Sequence, residues 1–388
     1  MRDSFTEARA YNIAIITLDS HAAGPVARAS VNLARDFPGL NVSVHAAAEW
    51  AETPEALTEA KAAIANADMV VANLLFLEEH IKPILDDLHA VRDKVDGMVG
   101  VIADAEIIKL TKLGKLDMSK PASGLMKILK SLKPKSTESE VEKGEKRMQQ
   151  LRRLPKMLKL VPGKAQDLRS WFLVMQYWLG GSDDNIEAMV RYLLGKYAKG
   201  RSEWLGAVAE APIEYPDVAL YHPDLPQRIT TNLADLPRPS EVKATVGLLM
   251  MRSYVLANDT AHYDAVIRAF EAKGMAVVPA FAGGLDGRPA IAEFFRKDDR
   301  TKIDAMVSLT GFSLVGGPAY NDSSAAVEVL KDLDIPYIAA HPLEFQTLGQ
   351  WANGDQGLGP IETTMLIALP ELDGATCPTV FGGRHGPD

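Results

Sequence analysis

Twice along this chain, short runs rich in Val, Ile and Ala alternate with segments whose apolar residues recur every three to four positions. This rhythm narrows the possible folds more than any other feature. Strands that are apolar throughout must be covered on both faces, and helices packed on either side of a parallel sheet provide that cover. In the first stretch, residues 12–18, 40–45, 68–77 and 97–103 read as strands, and residues 25–36 as a helix. Leu57, Ala60 and Ile64 share one helical face, while Ile81, Ile84, Leu85 and Leu88 fall at i, i+3, i+4 and i+7. The second stretch has strands at 246–251, 275–281, 305–309 and 336–340, and helices around Tyr263, Val266, Ile267 and Phe270 and around residues 326–333. A last strand is expected at 364–369, followed by a tail from Thr376 with neither pattern, as if the chain stopped in mid-domain.

The middle has another character. Leu125, Ile128, Leu129 and Leu132 form one apolar stripe, Leu151, Leu154, Leu158 and Val161 another, and the polar stretch 135–146 between them reads as a loop. Residues 171–179 are apolar all round, as in a buried helix that ends at Gly180 and Gly181. Asp184 with Glu187 has the spacing of a capping box. Between Lys109 and Lys164 there are 16 Lys and Arg against 5 Asp and Glu, a local +11 in a chain of net charge −9, so the remainder carries −20. The expected class is therefore α/β: two doubly wound, flavodoxin-like parallel-sheet units joined by a helical connector. Its parts are residues 1–108, a basic connector at 109–211, and a second α/β domain at 212–388.

Composition removes several functions. The acidic whole argues against nucleic acid as partner, and the basic strip is either a solvated face or a docking surface for an acidic protein, a membrane face or an anion. No apolar run approaches the ~18 residues that span a bilayer, and the charged start MRDSFTEARA has no signal-peptide core, so a cytoplasmic protein without a transmembrane segment is expected. Cys377 is the single cysteine, which leaves no internal disulfide and no cysteine metal cluster.

Two glycine-containing loops directly follow predicted strands, at 282–287 and 310–318. Open α/β sheets bind ligands at the carboxyl ends of their strands, where glycine lets backbone N–H groups approach an anion. Equally, glycine there supplies positive φ in tight turns. No P-loop is present, since Gly195 to Ser202 carries Arg201 where the phosphate lysine belongs. Asp259 and His262 at a helix start have the chemistry to bind a divalent cation or move a proton, and Asn258, Asp259 and Thr260 have the chemistry to cap that helix. His222-Pro223 and His341-Pro342 read as turns. Trp171, Tyr177, Trp178, Tyr192, Tyr197 and Trp204 suit either stacking on a flat macrocycle or a packed core, and the core is the stronger reading.

The segments NLLFLEEH (73–80), KLTKLGKLDM (109–118), LPKMLKLVPGKAQDLR (154–169), QYWLGGSDDN (176–185), FAGGLDG (281–287), VSLTGFSLVGGPA (307–319) and ALPELDGAT (368–376) together resemble the large H subunit of magnesium chelatase, and the later ones resemble its cobaltochelatase (CobN) relatives. The likeness spans nearly the whole chain. It implies a porphyrin-binding subunit presenting protoporphyrin IX for Mg²⁺ insertion in chlorophyll or bacteriochlorophyll synthesis, with ATP hydrolysed on separate AAA+ subunits I and D. Mg²⁺ and ATP would then be substrates of the complex, and this chain would hold no tightly bound cofactor. The family protein is far longer, and no catalytic or metal residue carries over onto this sequence, so the chain alone is expected to be inactive. The candidate substrate-binding edge, from the Gly loops, is Arg252, His262, Gly283, Gly284, Thr310, Gly311, Gly316 and Gly317. The alternatives are a non-catalytic amino-terminal module that holds a tetrapyrrole or a partner, and a cobalt-inserting subunit of corrinoid synthesis.

Overall fold

The computed structural model describes residues 9–18, 21–50, 53–120, 155, 157–159, 161–298, 300–317 and 320–385. The stripe Leu125, Ile128, Leu129 and Leu132, the polar stretch 135–146, Leu151 and Leu154 lie outside the described residues, as does most of the basic strip. The chain divides into two compact units between Glu214 and Tyr215.

In the first unit, β1 (Tyr11–Thr17), β2 (Leu40–Ala46), β3 (Met69–Asn73) and β4 (Gly97–Val101) are parallel in the order β2-β1-β3-β4. Helices α1 (Ala23–Asp36), α2 (Pro54–Ala65) and α3 (Glu78–Val91) make the crossovers, followed by the short α4 (Ala105–Lys109). The sheet is apolar on both faces, as the Val- and Ile-rich runs require. One face packs Ala14, Ile16 and Val70 against Ile64, Ile84 and Leu88 of α2 and α3. The other packs Ile13, Ile15 and Val99 against Val26 and Leu33 of α1.

The expected connector differs from this picture at both ends. The start of the basic strip is a hairpin, β5 (Lys112–Leu113) and β6 (Leu116–Asp117), added antiparallel to β4. Helices α5 (Lys164–Gly180) and α6 (Asp183–Tyr197) supply Leu168, Phe172, Val174 and Leu193 to the same core as Ile13 and Val99. They are a layer of the first unit, because a sheet face with exposed Val and Ile needs more cover than α1 alone provides. Of the six aromatic residues of this region, Trp171, Tyr177, Trp178, Tyr197 and Trp204 are buried in the core, and Tyr192 is half-buried against it. Helix α6 is capped by Ser182, whose Oγ accepts from Asn185 N, rather than by Asp184.

The main sheet of the second unit has seven strands among the described residues. They are β7 (Ala219–Tyr221), β8 (Ile229–Thr230), β9 (Thr245–Met251), β10 (Ala276–Ala282), β11 (Ala305–Ser308), β12 (Tyr337–Thr347) and β13 (Thr376–Arg384), in the order β13-β12-β11-β9-β10-β7-β8. The five from β9 onward run parallel, and β7 and β8 are an antiparallel edge. Short α7 (Arg252–Leu256) leads to α8 (Ala261–Ala272), and α9 (Ser323–Leu333) connects β11 to β12. The strand expected at 364–369 is helical: residues from Pro360 to Asp373 form one run of turns, with Gly359 N donating to Glu362 Oε2 at its start. The tail expected to lack structure is β13. His341-Pro342, expected as a turn, lies inside β12.

Candidate functional site

Three neighbouring parallel strands, β10, β9 and β11, end at Ala282, Met251 and Ser308, where an open α/β sheet binds its ligand. A cavity of about 30 Å³ lies there, walled by Leu249, Met251, Gly284, Asp286, Ser308 and Thr310 among others. Its two glycine-containing loops are sewn to each other. Gly287 N donates to Leu314 O, Gly316 N donates to Leu285 O, both at 2.9 Å, and Asp286 bridges Val315. Those two N–H groups are spent on the loops themselves, and the side-chain hydroxyls of Ser308 and Thr310 stand beside them at the cavity.

Ser308 and Thr310 share a hydrogen bond at 2.9 Å between their side-chain oxygens, and Thr310 Oγ1 accepts from Phe312 N at 3.4 Å. Ser313 Oγ donates to Asp373 Oδ2 at 2.7 Å, and Leu314 N donates to the same oxygen at 2.7 Å. At the rim, Arg288 is committed to Asp286, with Nη2 2.6 Å from Oδ2. The charges cancel, and the volume admits one small polar group rather than a ring system, whose pockets run to ~300–1,000 Å³.

Of the eight candidate residues, Gly284 and Thr310 line this cavity. Gly283 sits beside it, where an added Cβ would lie 3.0 Å from the Asp217 side chain. Gly311 turns away: at φ +71, its Cβ position is 2.9 Å from Leu366 Cδ2 and 3.5 Å from His341 Cβ. Gly316 and Gly317 form a two-residue ladder with Tyr320 and Asn321. Arg252 donates to the carbonyls of Pro216 and Tyr215 at 3.1 and 3.2 Å. His262 is packed among Tyr254, Tyr263 and Phe381, with ring centroids 5.4, 4.0 and 5.6 Å away. The expected side-chain cap of α8 is not formed; Thr260 Oγ1 accepts from Tyr221 OH, and Asn258 Oδ1 accepts from Arg228. His222 Nε2 pairs with Glu271 at 3.0 Å. Among the described residues, no three His, Cys, Asp or Glu side chains converge as a metal set, and no helix is long and apolar enough to cross a membrane.

Sequence reasoning missed Ser308, Ser313, Asp286 and Asp373. The first two flank the Thr-Gly step of a loop already singled out, so their hydroxyls were a readable signal. Asp373 gave none, being 60 residues from Ser313.

His341 was also missed. It is 1% exposed, and neither ring nitrogen has a partner. Burial pushes its pKa below the ordinary value, with the Glu362 carboxylate pulling the other way. A histidine held neutral in the fold is protonated first in the unfolded chain, so this contribution to stability is complete above about pH 6.5 and is lost as pH falls below it. The urea midpoint of the second unit should therefore drop between about pH 7.5 and about pH 5.5. His341→Asn should make that drop shallower, and an unaltered pH slope in the variant would refute the assignment.

A family model described as CobN/Magnesium Chelatase matches residues 175–388, and one described as a domain of unknown function (DUF3479) matches residues 12–172. The magnesium-chelatase H subunit of Cereibacter sphaeroides is 68% identical over 375 residues, 97% of this chain and 31% of that protein. The chloroplastic magnesium-chelatase subunit ChlH of Oryza sativa subsp. indica is 35% identical over 83% of this chain and 24% of its own length. A solved structure described as the catalytic subunit of cobaltochelatase from Mycobacterium tuberculosis aligns with 94% of this chain and 24% of that one, at 16% identity and a TM-score of 0.46. The chain spans about a quarter to a third of the length of these magnesium-chelatase relatives.

Proposed function

We propose, from the premise that this chain belongs to the CobN/magnesium chelatase family, that it is part of the H subunit of a magnesium chelatase. In this reading it helps hold protoporphyrin IX while Mg²⁺ is inserted, and ATP is hydrolysed on the separate AAA+ subunits I and D. The observation that carries the reading is the 68% identity to a magnesium-chelatase H subunit across 97% of the chain. The need for a separate motor has a physical basis: Mg²⁺ gives up its water reluctantly, and the macrocycle must lose two pyrrole protons to receive it.

The cavity at the strand ends is the proposed contact with the macrocycle's periphery. It is far too small for the ring, but it suits one carboxyl group, which would accept from the hydroxyls of Ser308 and Thr310. Leu285 lines the same cavity and is 43% exposed, which offers the ring edge an apolar rest outside it. Of the eight residues, Gly284 and Thr310 are those we keep in this role.

Gly284 makes the test clean, because an added Cβ meets nothing within 4 Å. Titration of this chain with protoporphyrin IX, followed by quenching of tryptophan fluorescence, should saturate. Gly284→Leu should weaken binding by at least about tenfold with an unchanged melting temperature, and Thr310→Val by about threefold to tenfold, the range of one lost hydrogen bond. Absence of saturable binding to the parent would reject the porphyrin reading. Parent-like affinity in both variants would reject this cavity alone.

A further inference from the structure

Asp373 does not wall the cavity at the strand ends, yet it holds two residues that do. It is 1% exposed and closes the helical run that starts at Pro360. Its own place is fixed through the backbone. Gly374 follows at φ +105 with its N–H donating to Glu371 O, and Ala375 N donates to Pro370 O, both at 3.0 Å. From this anchored position one carboxylate oxygen, Oδ2, accepts from Ser313 Oγ and from Leu314 N, both at 2.7 Å. Hydrogen bonds to a carboxylate are the short and strong ones, and burial keeps water from competing for them. One contact fixes a side chain and the other a peptide plane, on consecutive residues of the loop.

The hold extends to the opposite loop. Leu314 O accepts from Gly287 N at 2.9 Å, so the residue that Asp373 fixes is the one to which Gly287 is tied. Ser313 Oγ in turn accepts from Val315 N at 3.3 Å, and Val315 is bridged to Asp286. Leu285, Asp286 and Gly287 wall one side of the cavity and Phe312, Ser313 and Leu314 another. Both loops are thus linked to one carboxylate that lies 60 residues along the chain from Ser313.

We propose that Asp373 is the positioning residue of this site: by fixing Ser313 and Leu314 it sets the spacing of the two loops, and through that spacing the affinity of the cavity for a carboxyl group. The effect on affinity rests on the reading of the cavity as a porphyrin contact, whereas the link from Asp373 to Gly287 holds with no ligand bound. The two are therefore tested separately.

Hydrogen–deuterium exchange of the ligand-free chain, read by mass spectrometry, tests the link. Asp373→Ala should speed exchange at 310–318 and also at 284–288, while Asp373→Asn, whose side-chain oxygen still accepts from both donors, should leave both segments as in the parent. Ser313→Ala, which keeps the carboxylate and deletes one donor, should speed both segments less, and it serves where Asp373→Ala fails to fold. Exchange at 284–288 that stays at the parent's rate in both alanine variants would overturn the link. Fluorescence titration with protoporphyrin IX then tests the effect on affinity. Asp373→Ala should weaken binding at least about tenfold and Asp373→Asn by less than about threefold, since a neutral acceptor keeps part of a charged one's strength. Ile267→Ala, which removes buried volume from another core cluster of the same unit, should lower the melting temperature and leave affinity within about twofold of the parent. Parent-like affinity in Asp373→Ala, no rescue by Asp373→Asn, or an equal loss in Ile267→Ala would overturn the positioning role. Absence of saturable binding to the parent would reject the porphyrin reading, and the exchange rates at 284–288 would then decide the link alone.

Discussion

Gly100→Ala should cost the first unit about 3 kcal/mol, measured as a lowered urea midpoint with tryptophan fluorescence as the probe. Gly100 lies in β4, and its ideal Cβ position is 2.4 Å from the carbonyl oxygen of Ile107 and 2.9 Å from the carbonyl carbon. Both are backbone atoms of α4, so no side-chain rotation can relieve the clash. The strand or the helix must move, and three hydrogen bonds move with them. Gly100 N donates to Thr111 Oγ1 at 2.9 Å, Thr111 Oγ1 donates back to Gly100 O at 3.3 Å, and Trp171 Nε1 donates to the same carbonyl at 2.7 Å. The entropy that alanine removes from the unfolded chain returns less than about 1 kcal/mol. Gly97, in the same strand, is the control: its Cβ would meet the far end of the Leu113 side chain at 2.9 Å, which can give way. Gly97→Ala should cost about 1 kcal/mol, and equal losses at the two positions would show that the backbone contact is not the cause.

Gly311→Val should be comparably severe for the second unit, at about 4 kcal/mol. Two terms combine: a left-handed residue other than glycine costs about 1–2 kcal/mol, and overpacking against Leu366 Cδ2 at 2.9 Å costs about 1–3 kcal/mol. The loss is conformational and should appear in a melt with no ligand present. Gly284→Val, in open space, should change stability by less than about 0.5 kcal/mol. Two glycines from the same kind of loop thus separate into a backbone role and a place at a cavity. A small loss at Gly311 would contradict the turn geometry, and a large one at Gly284 would contradict its open surroundings.

The parallel strands were legible because their signal is local. The runs near residues 12–18, 68–77, 246–251 and 275–281 are apolar over most of their length without alternation, as a sheet covered on both faces requires, and they became β1, β3, β9 and β10. The strand β13 was not legible. Its side chains are exposed or half-buried, it contains Pro378, and it is held by backbone pairing to β12 from Ile338 with Thr376 to Thr347 with Arg384. Pairing of that kind leaves no apolar pattern. Residues 364–369 failed in the opposite sense, since the short apolar run with Thr364 and Ile367 reads as a strand while the turns begun at Gly359 and Pro360 carry it into a helix.

Most of the candidate site divides along the same line. The glycine loops and their place after strands could be read directly, and Gly284 and Thr310 do line a cavity there. That Gly311 would face Leu366, that Arg252 would be spent on the carbonyls of Tyr215 and Pro216, and that His262 would sit among aromatic rings depends on what packs nearby.

By itself the sequence determined two parallel α/β sheets, the buried helix at Trp171, and a likeness to the H subunits of magnesium chelatase, because hydrophobic period and residue order are properties of neighbouring positions. Tertiary structure alone decided that Trp171 would meet Gly100, that Asp373 would hold Ser313 and Leu314, and that α5 and α6 would complete the first core. Those contacts join residues about 60 to 160 positions apart, where selection acts through shape and hydrogen-bond satisfaction and leaves no periodic trace in the chain.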